Sequence, residues 1–224
     1  MSDNPDDIAQ LRARFEAIGC SQLSDASADL ITLLPLALRS RSGHPSICGP
    51  MFPVVTNDDM LPCLQALADT PPGWVLFIHN TAAPSEALVG DIFATSALVQ
   101  GLGGIIVNGA VRDVAELRSI DVPVFATSVT YVSARTTDQK VSELPVSADL
   151  GGVSIKPGEW VFGDDDGFLT VGASRVSAVL AAGAILRDRE EQLKRAIHTT
   201  GESLAELTGL DAFVEGRGEL GWKI

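Results

Sequence analysis

The sequence predicts an α/β protein built on a partly parallel sheet, and three observations predict it. Short apolar runs at 73–78 (GWVLFI), 104–107 (GIIV) and 122–125 (VPVF) have the length and texture of buried strands. Helical periodicity separates them, over Asp58–Ala68, Asp91–Leu102 and Asp113–Ile120, and such alternation joins parallel strands through right-handed crossovers. Glycine is frequent (21 residues) and aromatics are few (5%), which suits a compact fold with many tight turns.

The remaining elements follow in chain order. An amphipathic helix opens the chain: Asp6 or Asp7 can cap it, and Ile8, Leu11, Phe15 and Ile18 share one face. Gly19 stops it, and Ser24 can cap a second short helix. Ile47–Val55 reads as an irregular or edge strand, because Gly49, Pro50 and Pro53 interrupt any ladder. After Thr127 the texture becomes a β meander: Leu144–Ser147, Val153–Ile155, Trp160–Phe162 and Phe168–Val171, with turns at Gly151-Gly152, Pro157-Gly158 and Asp164–Gly167. Ser174–Glu206 reads as one or two helices carrying the i,i+4 pairs Glu190–Lys194 and Glu191–Arg195, and a tail runs from Thr208 to Ile224. The plan is an α/β domain over residues 1–172 and a C-terminal helical extension over 173–224.

The formal net charge is −13, which argues against nucleic acid and against an anionic membrane surface as partners. Cys20, Cys48 and Cys63 are odd in number and widely spaced, so they read as buried thiols, not as a disulfide framework or a zinc site. The acidic start MSDNPDD is no signal peptide, and no apolar run approaches the roughly 20 residues of a membrane helix. The expected compartment is the cytoplasm.

The chemistry concentrates in Gly90–Glu116. Two strand-like runs lead into loops, the first ending in Gly90-Asp91 and the second in Asn108–Asp113. Open α/β sheets bind ligands where strands end and helices begin. Helix N-termini there offer free backbone N–H groups, those of Ile92 and Phe93 among them, to a small anion. Arg112 adds a bidentate fork for a carboxylate or an enolate oxygen. Asp91 and Asp113 bring carboxylates to the same place, and a hard cation such as Mg²⁺ is held by one or two carboxylates plus waters. The bland alternative stays open: Asp113 and Glu116 have capping-box spacing, Asp91 can cap its own helix, and Arg112 can be a surface charge.

Other motifs carry less. Gly101-Leu102-Gly103-Gly104 runs from helix into strand, the wrong order for a dinucleotide loop. Asp164-Asp165-Asp166-Gly167 lacks the glutamate of a calcium loop, since Arg175 stands there, and reads as a turn. His44, His79 and His198 show no paired ligand spacing; His79 follows a buried strand and reads as a core or rim histidine.

The motif at Asp91, then twenty residues, Arg112-Asp113, two residues and Glu116 resembles the aldolase pattern of the RraA-like family. The text NGAVRDVAEL, VPVFA and GGVSIKPGEWVFGDDDGFLTV is similar to that family from about Leu23 onward, and GESLAELTGLDAF resembles the C-terminal extension of its 4-hydroxy-4-methyl-2-oxoglutarate/4-carboxy-4-hydroxy-2-oxoadipate aldolases. The resemblance implies a layered β/β/α sandwich assembled as a homotrimer or homohexamer. It implies a divalent cation, Mg²⁺ or Mn²⁺, held directly by Asp113 and through water by Asp91 and Glu116. It places the pyruvate carboxylate of a small 2-keto acid on the Gly90–Phe93 loop (Gly90, Asp91, Ile92, Phe93) and the keto or enolate oxygen on Arg112, with Asp91 and Arg112 catalytic. It also implies a glutamate from a neighbouring subunit, for which Glu190 and Glu191 are candidates. The implied activity is carbon–carbon lysis to pyruvate, with oxaloacetate decarboxylation beside it. The rival reading is a regulator of ribonuclease activity, the other role in the family. A methyltransferase reading finds no adenosylmethionine loop.

Overall fold

The computed structural model describes residues 5–82, 85–137 and 143–221. The first four residues and the last three of the expected tail lie outside the described residues. The chain begins with α1 (Pro5–Glu16) and α2 (Cys20–Ser27), then the short strands β1 (Ile31–Leu33) and β2 (Arg39–Ser40). Next come β3 (Ile47–Thr56), α3 (Met60–Asp69), β4 (Val75–Asn80), β5 (Ala87–Val89), α4 (Asp91–Val99), β6 (Gly104–Val111), α5 (Val114–Leu117) and β7 (Val124–Val129). The second half holds β8 (Ala148–Asp149), β9 (Ser154–Ile155), β10 (Trp160–Gly163), β11 (Phe168–Val171), α6 (Val176–Thr200), α7 (Leu204–Thr208) and α8 (Leu210–Val214).

The predicted parallel sheet is β3-β4-β6-β7, with β5 also parallel to β6 and β2 antiparallel at the far edge. The antiparallel half is β3-β10-β11-β1. Both halves share β3, so the expectation of an edge strand at 47–55 is wrong: this is a central strand, and nine of its ten residues are buried. The prolines fit for a reason local to each. Pro50 stands opposite Trp160, and the neighbouring Met51 N–H donates to Glu159 O at 2.8 Å, so position 50 faces away from the β10 ladder. Pro53 turns its carbonyl to Val146 N–H (3.0 Å), and a strand residue's N–H points the same way as its C=O. The missing donor therefore never faces β4.

Alternation along the strands produces the layers. Leu76, Ile78, Ile105, Val107 and Val124 pack against α3, α4 and α5 through Cys63, Leu67, Phe93, Ala97 and Leu117. Val75, Phe77, Ile106 and Phe125 face the other way and meet Val161 and Phe168 of the antiparallel half. Phe162, Leu169 and Val171 point outward again, under Phe15, Leu23, Val179 and Leu180 of α1, α2 and α6. The β/β/α layering thus holds, and the N-terminal helices and the C-terminal helix cover the outer face of the antiparallel half.

Several boundaries moved. Asp6 and Asp7 lie within the first turn of α1, and α2 starts at Cys20 instead of Ser24. The cap that Ser24 does not supply comes from Asp164, whose Oδ2 accepts the Cys20 N–H at 2.7 Å. The Asp164–Gly167 segment is a turn as expected, with Asp164 Oδ1 accepting the Asp166 N–H at 3.0 Å. Leu144–Ser147 forms no strand. The ion pairs on α6 also differ: Glu191 holds Arg187 (3.4 Å) and Lys194 (2.9 Å), while Glu190 accepts from Gln22 Nε2 at 2.8 Å. The three cysteines are buried free thiols. Burial pushes the Cys63 thiol up to about 12, and Cys20 and Cys48 are raised for the same leading reason. No helix among the described residues is long and apolar enough to cross a membrane.

Candidate functional site

The site forms where β5 and β6 end side by side. Val89 leads into Gly90 and the first turn of α4; Val111 leads into Arg112, Asp113 and α5. The two loops are tied by the Arg112 N–H, which donates to Val89 O at 3.0 Å. Upstream, the register of β6 against β7 shifts between Val107 and Ala110. The Thr127 hydroxyl spans this irregularity, accepting the Gly109 N–H (2.9 Å) and donating to Gly109 O (3.0 Å). Such irregularities re-aim the side chains beyond them, here the end of β6 that delivers Arg112.

Asp113 rules out one of the two readings of the motif. The expected helix from Asp113 to Ile120 shrinks to Val114–Leu117, and Asp113 sits before it at φ 57°, ψ 41°, with no side-chain capping bond. The capping-box reading of Asp113 and Glu116 therefore fails. Left-handed backbone at a non-glycine residue is uncommon, and it clusters at sites whose surroundings enforce it. Here it sends the carboxylate back toward the neighbouring loop: Asp113 Oδ2 lies 3.2 Å from Arg112 Nε and accepts the Asp91 N–H at 3.4 Å. Arg112 is accordingly no free surface charge. Among the described residues its Nη groups have no partner, and the residue lines a cavity.

Gly90 is required by space, not by torsion. Its φ of −136° is extended, but a Cβ there would collide with Asp113 Oδ2 and stand 3.2 Å from Arg112 Nε. Gly90 is also the residue before α4, so Asp91 is the first helical residue and does not cap from outside. Asp91 Oδ1 accepts the Ile92 N–H at 2.8 Å, which leaves the Phe93 N–H without a partner among the described residues. Of the two backbone donors expected for an anion, one is thus already engaged by Asp91. The Phe93 side chain is buried in the core and anchors the turn, while Ile92 is 78% exposed. Glu116 lies in the single turn of α5, exposed.

Gly90, Asp91, Ile92, Phe93 and Arg112 line a cavity of about 330 Å³. The rest of the lining includes Met60, Leu64 and Leu67 of α3, with Ala87, Leu88 and Ser133. Sequence reasoning missed the α3 residues, although the 60/64/67 spacing on one helix face was a usable signal. His79 does not line it; it pairs with Asn108 Nδ2 through Nδ1 at 2.9 Å, and burial lowers its pKa against the opposing pull of Asp149. The Gly101–Gly104 stretch is structural: a Cβ at Gly103 would collide with Gly73 O and Arg12, and one at Gly104 would reach within 2.5 Å of Ile47 Cδ1.

Among the described residues no group of three or more His, Cys, Asp or Glu side chains forms a closed metal cage. The available donors are carboxylate oxygens at a half-exposed loop, and Asp113 is 33% exposed. Few protein ligands, all oxygen, with room for water, fit a hard divalent cation rather than a zinc-type site.

The fold and this loop pair define an α/β protein that gathers an arginine and two aspartates, Arg112, Asp91 and Asp113, at the carboxyl ends of parallel strands. The sequence model for RraA-like proteins, described as Aldolase/RraA, matches residues 20–170, and the chain belongs to the RraA-like family. It is 34% identical over 145 residues to a Shewanella oneidensis protein, covering 65% of this chain and 87% of that one. It is 29% identical over 185 residues to a Halalkalibacterium halodurans protein, covering 82% and 87%. Both carry the name "Putative 4-hydroxy-4-methyl-2-oxoglutarate aldolase". Among solved structures, the RNA-processing inhibitor RraA from Thermus thermophilus superposes with a TM-score of 0.63 at 27% identity, covering 69% of this chain and 92% of that one.

Proposed function

We propose that the chain is a divalent-metal-dependent aldolase that cleaves 4-hydroxy-4-methyl-2-oxoglutarate or 4-carboxy-4-hydroxy-2-oxoadipate type substrates to pyruvate and a second 2-keto acid, with oxaloacetate decarboxylation as a side activity. The observation that carries this reading is the left-handed Asp113, which gives up helix capping to hold its carboxylate against Arg112 and the α4 N-terminus. The names of the two bacterial relatives point the same way.

Asp113 would hold the cation directly, and Asp91 and Glu116 through water. When bound, the cation supplies Lewis acidity at the 2-keto acid end. The Phe93 N–H and the N-terminus of α4 receive the substrate carboxylate, and Ile92 N–H joins them if the Asp91 carboxylate swings away. Asp91 holds the water that takes the C4 hydroxyl proton. The C3–C4 bond then breaks: C4 becomes the carbonyl of the departing 2-keto acid, and the bonding electrons form the enolate of pyruvate. The Arg112 fork faces the oxygen on which this charge develops, the interaction that does most to lower such barriers. Proton return to C3 completes pyruvate. Oxaloacetate reaches the same enolate by losing carbon dioxide. We assign the cytoplasm as compartment and a homotrimer or homohexamer as assembly on the same footing.

The test is pyruvate release from 4-hydroxy-4-methyl-2-oxoglutarate and from oxaloacetate, each with Mg²⁺ and with EDTA. Metal-dependent release from the hydroxy acid is expected. The likeness to the Thermus RraA favours one second reading, a regulator that binds a ribonuclease without catalysis. No release from either substrate would select it.

A further inference from the structure

The cavity beside Arg112 has a lining of two chemical kinds. One is polar: Gly90, Asp91 and Arg112. The other is a hydrocarbon face of α3, with Met60, Leu64 and Leu67 at helical spacing. Leu67 is buried, Met60 packs against the core, and Leu64 stays 45% exposed at the rim. Among the described residues Arg112 is the single cation in the lining, and Asp91 the single carboxylate. The volume of about 330 Å³ sits at the lower end of the range for small-molecule sites, so it can take a substrate of a few carbons with its substituents.

We infer that the α3 wall is the subsite for the variable substituent on C4 of the substrate, and that the enzyme prefers a hydrocarbon group there over a carboxymethyl arm. This rests on the aldolase reading above and narrows its substrate class. A substrate whose carboxylate and keto oxygen engage the α4 N-terminus and Arg112 can turn its C4 substituent toward Met60, Leu64 and Leu67. A methyl or short alkyl group gains by leaving water there, each methylene contributing roughly 0.8 kcal/mol. A carboxymethyl group would lose its hydration with no second cation among the described residues of the lining, in a chain of net charge −13. Arg112 cannot serve both ends, because its fork is committed to the developing enolate.

The experiment compares kcat/KM for three 4-hydroxy-2-keto acids that differ only at C4, carrying methyl, propyl or carboxymethyl, in the wild-type protein and in Leu64→Lys, with oxaloacetate as a further wild-type substrate. The exposed rim position of Leu64 accepts lysine without a buried charge, and the melting temperature checks this. The hydrocarbon substrates should lead the carboxymethyl one by about tenfold or more in the wild type, in line with pocket discrimination of this size. Leu64→Lys should shift the carboxymethyl-to-methyl ratio at least about tenfold toward carboxymethyl. The ratio is unaffected by loss of folded protein. A wild-type preference for carboxymethyl, or a ratio unmoved by Leu64→Lys, overturns the subsite while leaving the aldolase intact. Release from oxaloacetate with none from any hydroxy acid overturns the aldolase reading itself, and the subsite with it.

Discussion

The two ends of the parallel sheet invite comparison. At the amino ends of the strands lies the larger cavity, about 620 Å³, bounded by Arg12, His44, Gly103, Asp121 and Asp164 among others. At the carboxyl ends of β5 and β6 lies the smaller one, with Arg112 and Asp91. Several polar groups of the larger cavity are engaged within the fold. Arg12 donates to Cys48 O (3.1 Å) and Gly73 O (3.3 Å), His44 meets Asp121 (3.2 Å), and Asp164 caps α2. The smaller cavity is lined by Arg112, whose Nη groups have no partner among the described residues, and by Asp91; the left-handed Asp113 stands behind them, against Arg112 Nε. Size is a poor guide to the proposed site; what separates the two ends is how far their polar groups are taken up by the fold.

Four substitutions or conditions break or sharpen that contrast. The largest effect belongs to Asp113→Ala: on the proposed aldolase reading its carboxylate holds the cation, so its loss should cut pyruvate release about a thousandfold or more, several kcal/mol of Lewis-acid stabilisation. Steady-state kinetics beside a melting curve checks it, and near wild-type activity would remove Asp113 from the metal role. Next is Gly90→Ala. The new Cβ displaces Asp113 Oδ2 and Arg112, and a misplacement of this kind costs on the order of a hundredfold in kcat, with the melting temperature little changed because the loop is at the surface. At the opposite end, Gly103→Ala should do the reverse. Its Cβ meets the Gly73 carbonyl, which cannot move as a side chain would, so stability should fall by about 2–3 kcal/mol in denaturant titration while kcat per folded molecule holds. Equal responses of activity and stability at both glycines would erase the distinction between the ends.

The smallest effect concerns Asp59, the cap of α3. Burial raises its pKa, but hydrogen bonds from Thr137 and from the Leu61 N–H (2.9 Å) outweigh burial and bring it below the ordinary aspartate value. A depressed folded-state pKa adds stability that is full above the unfolded value of about 3.9 and is lost as pH falls through the folded one. Acid unfolding should therefore steepen below about pH 4, and Asp59→Asn should flatten that slope. A slope identical in the two proteins would show that Asp59 is not the titrating clamp.

Much of this was readable in the chain. The apolar runs at 73–78, 104–107 and 122–125 each contain a true strand segment, because burial on both faces demands continuous hydrocarbon whatever the partners are. The spacing of Asp91, Arg112, Asp113 and Glu116 placed the site at two neighbouring loops, because parallel crossovers return every strand end to the same edge. What needed three dimensions was anything set by a non-local partner. Gly49, Pro50 and Pro53 look like the breakers of an edge strand until β10 and β4 are seen to take different halves of β3, each on the side where no proline donor is missing. The cap of α2 comes from Asp164, far away in sequence, so no local window finds it. Asp113 illustrates both sides. Its identity and spacing are written in the sequence. Whether its carboxylate caps a helix or turns back to Arg112 and Asp91 was decided by the left-handed turn that the joined ends of β5 and β6 impose, since a backbone torsion held by tertiary contacts leaves no local signature.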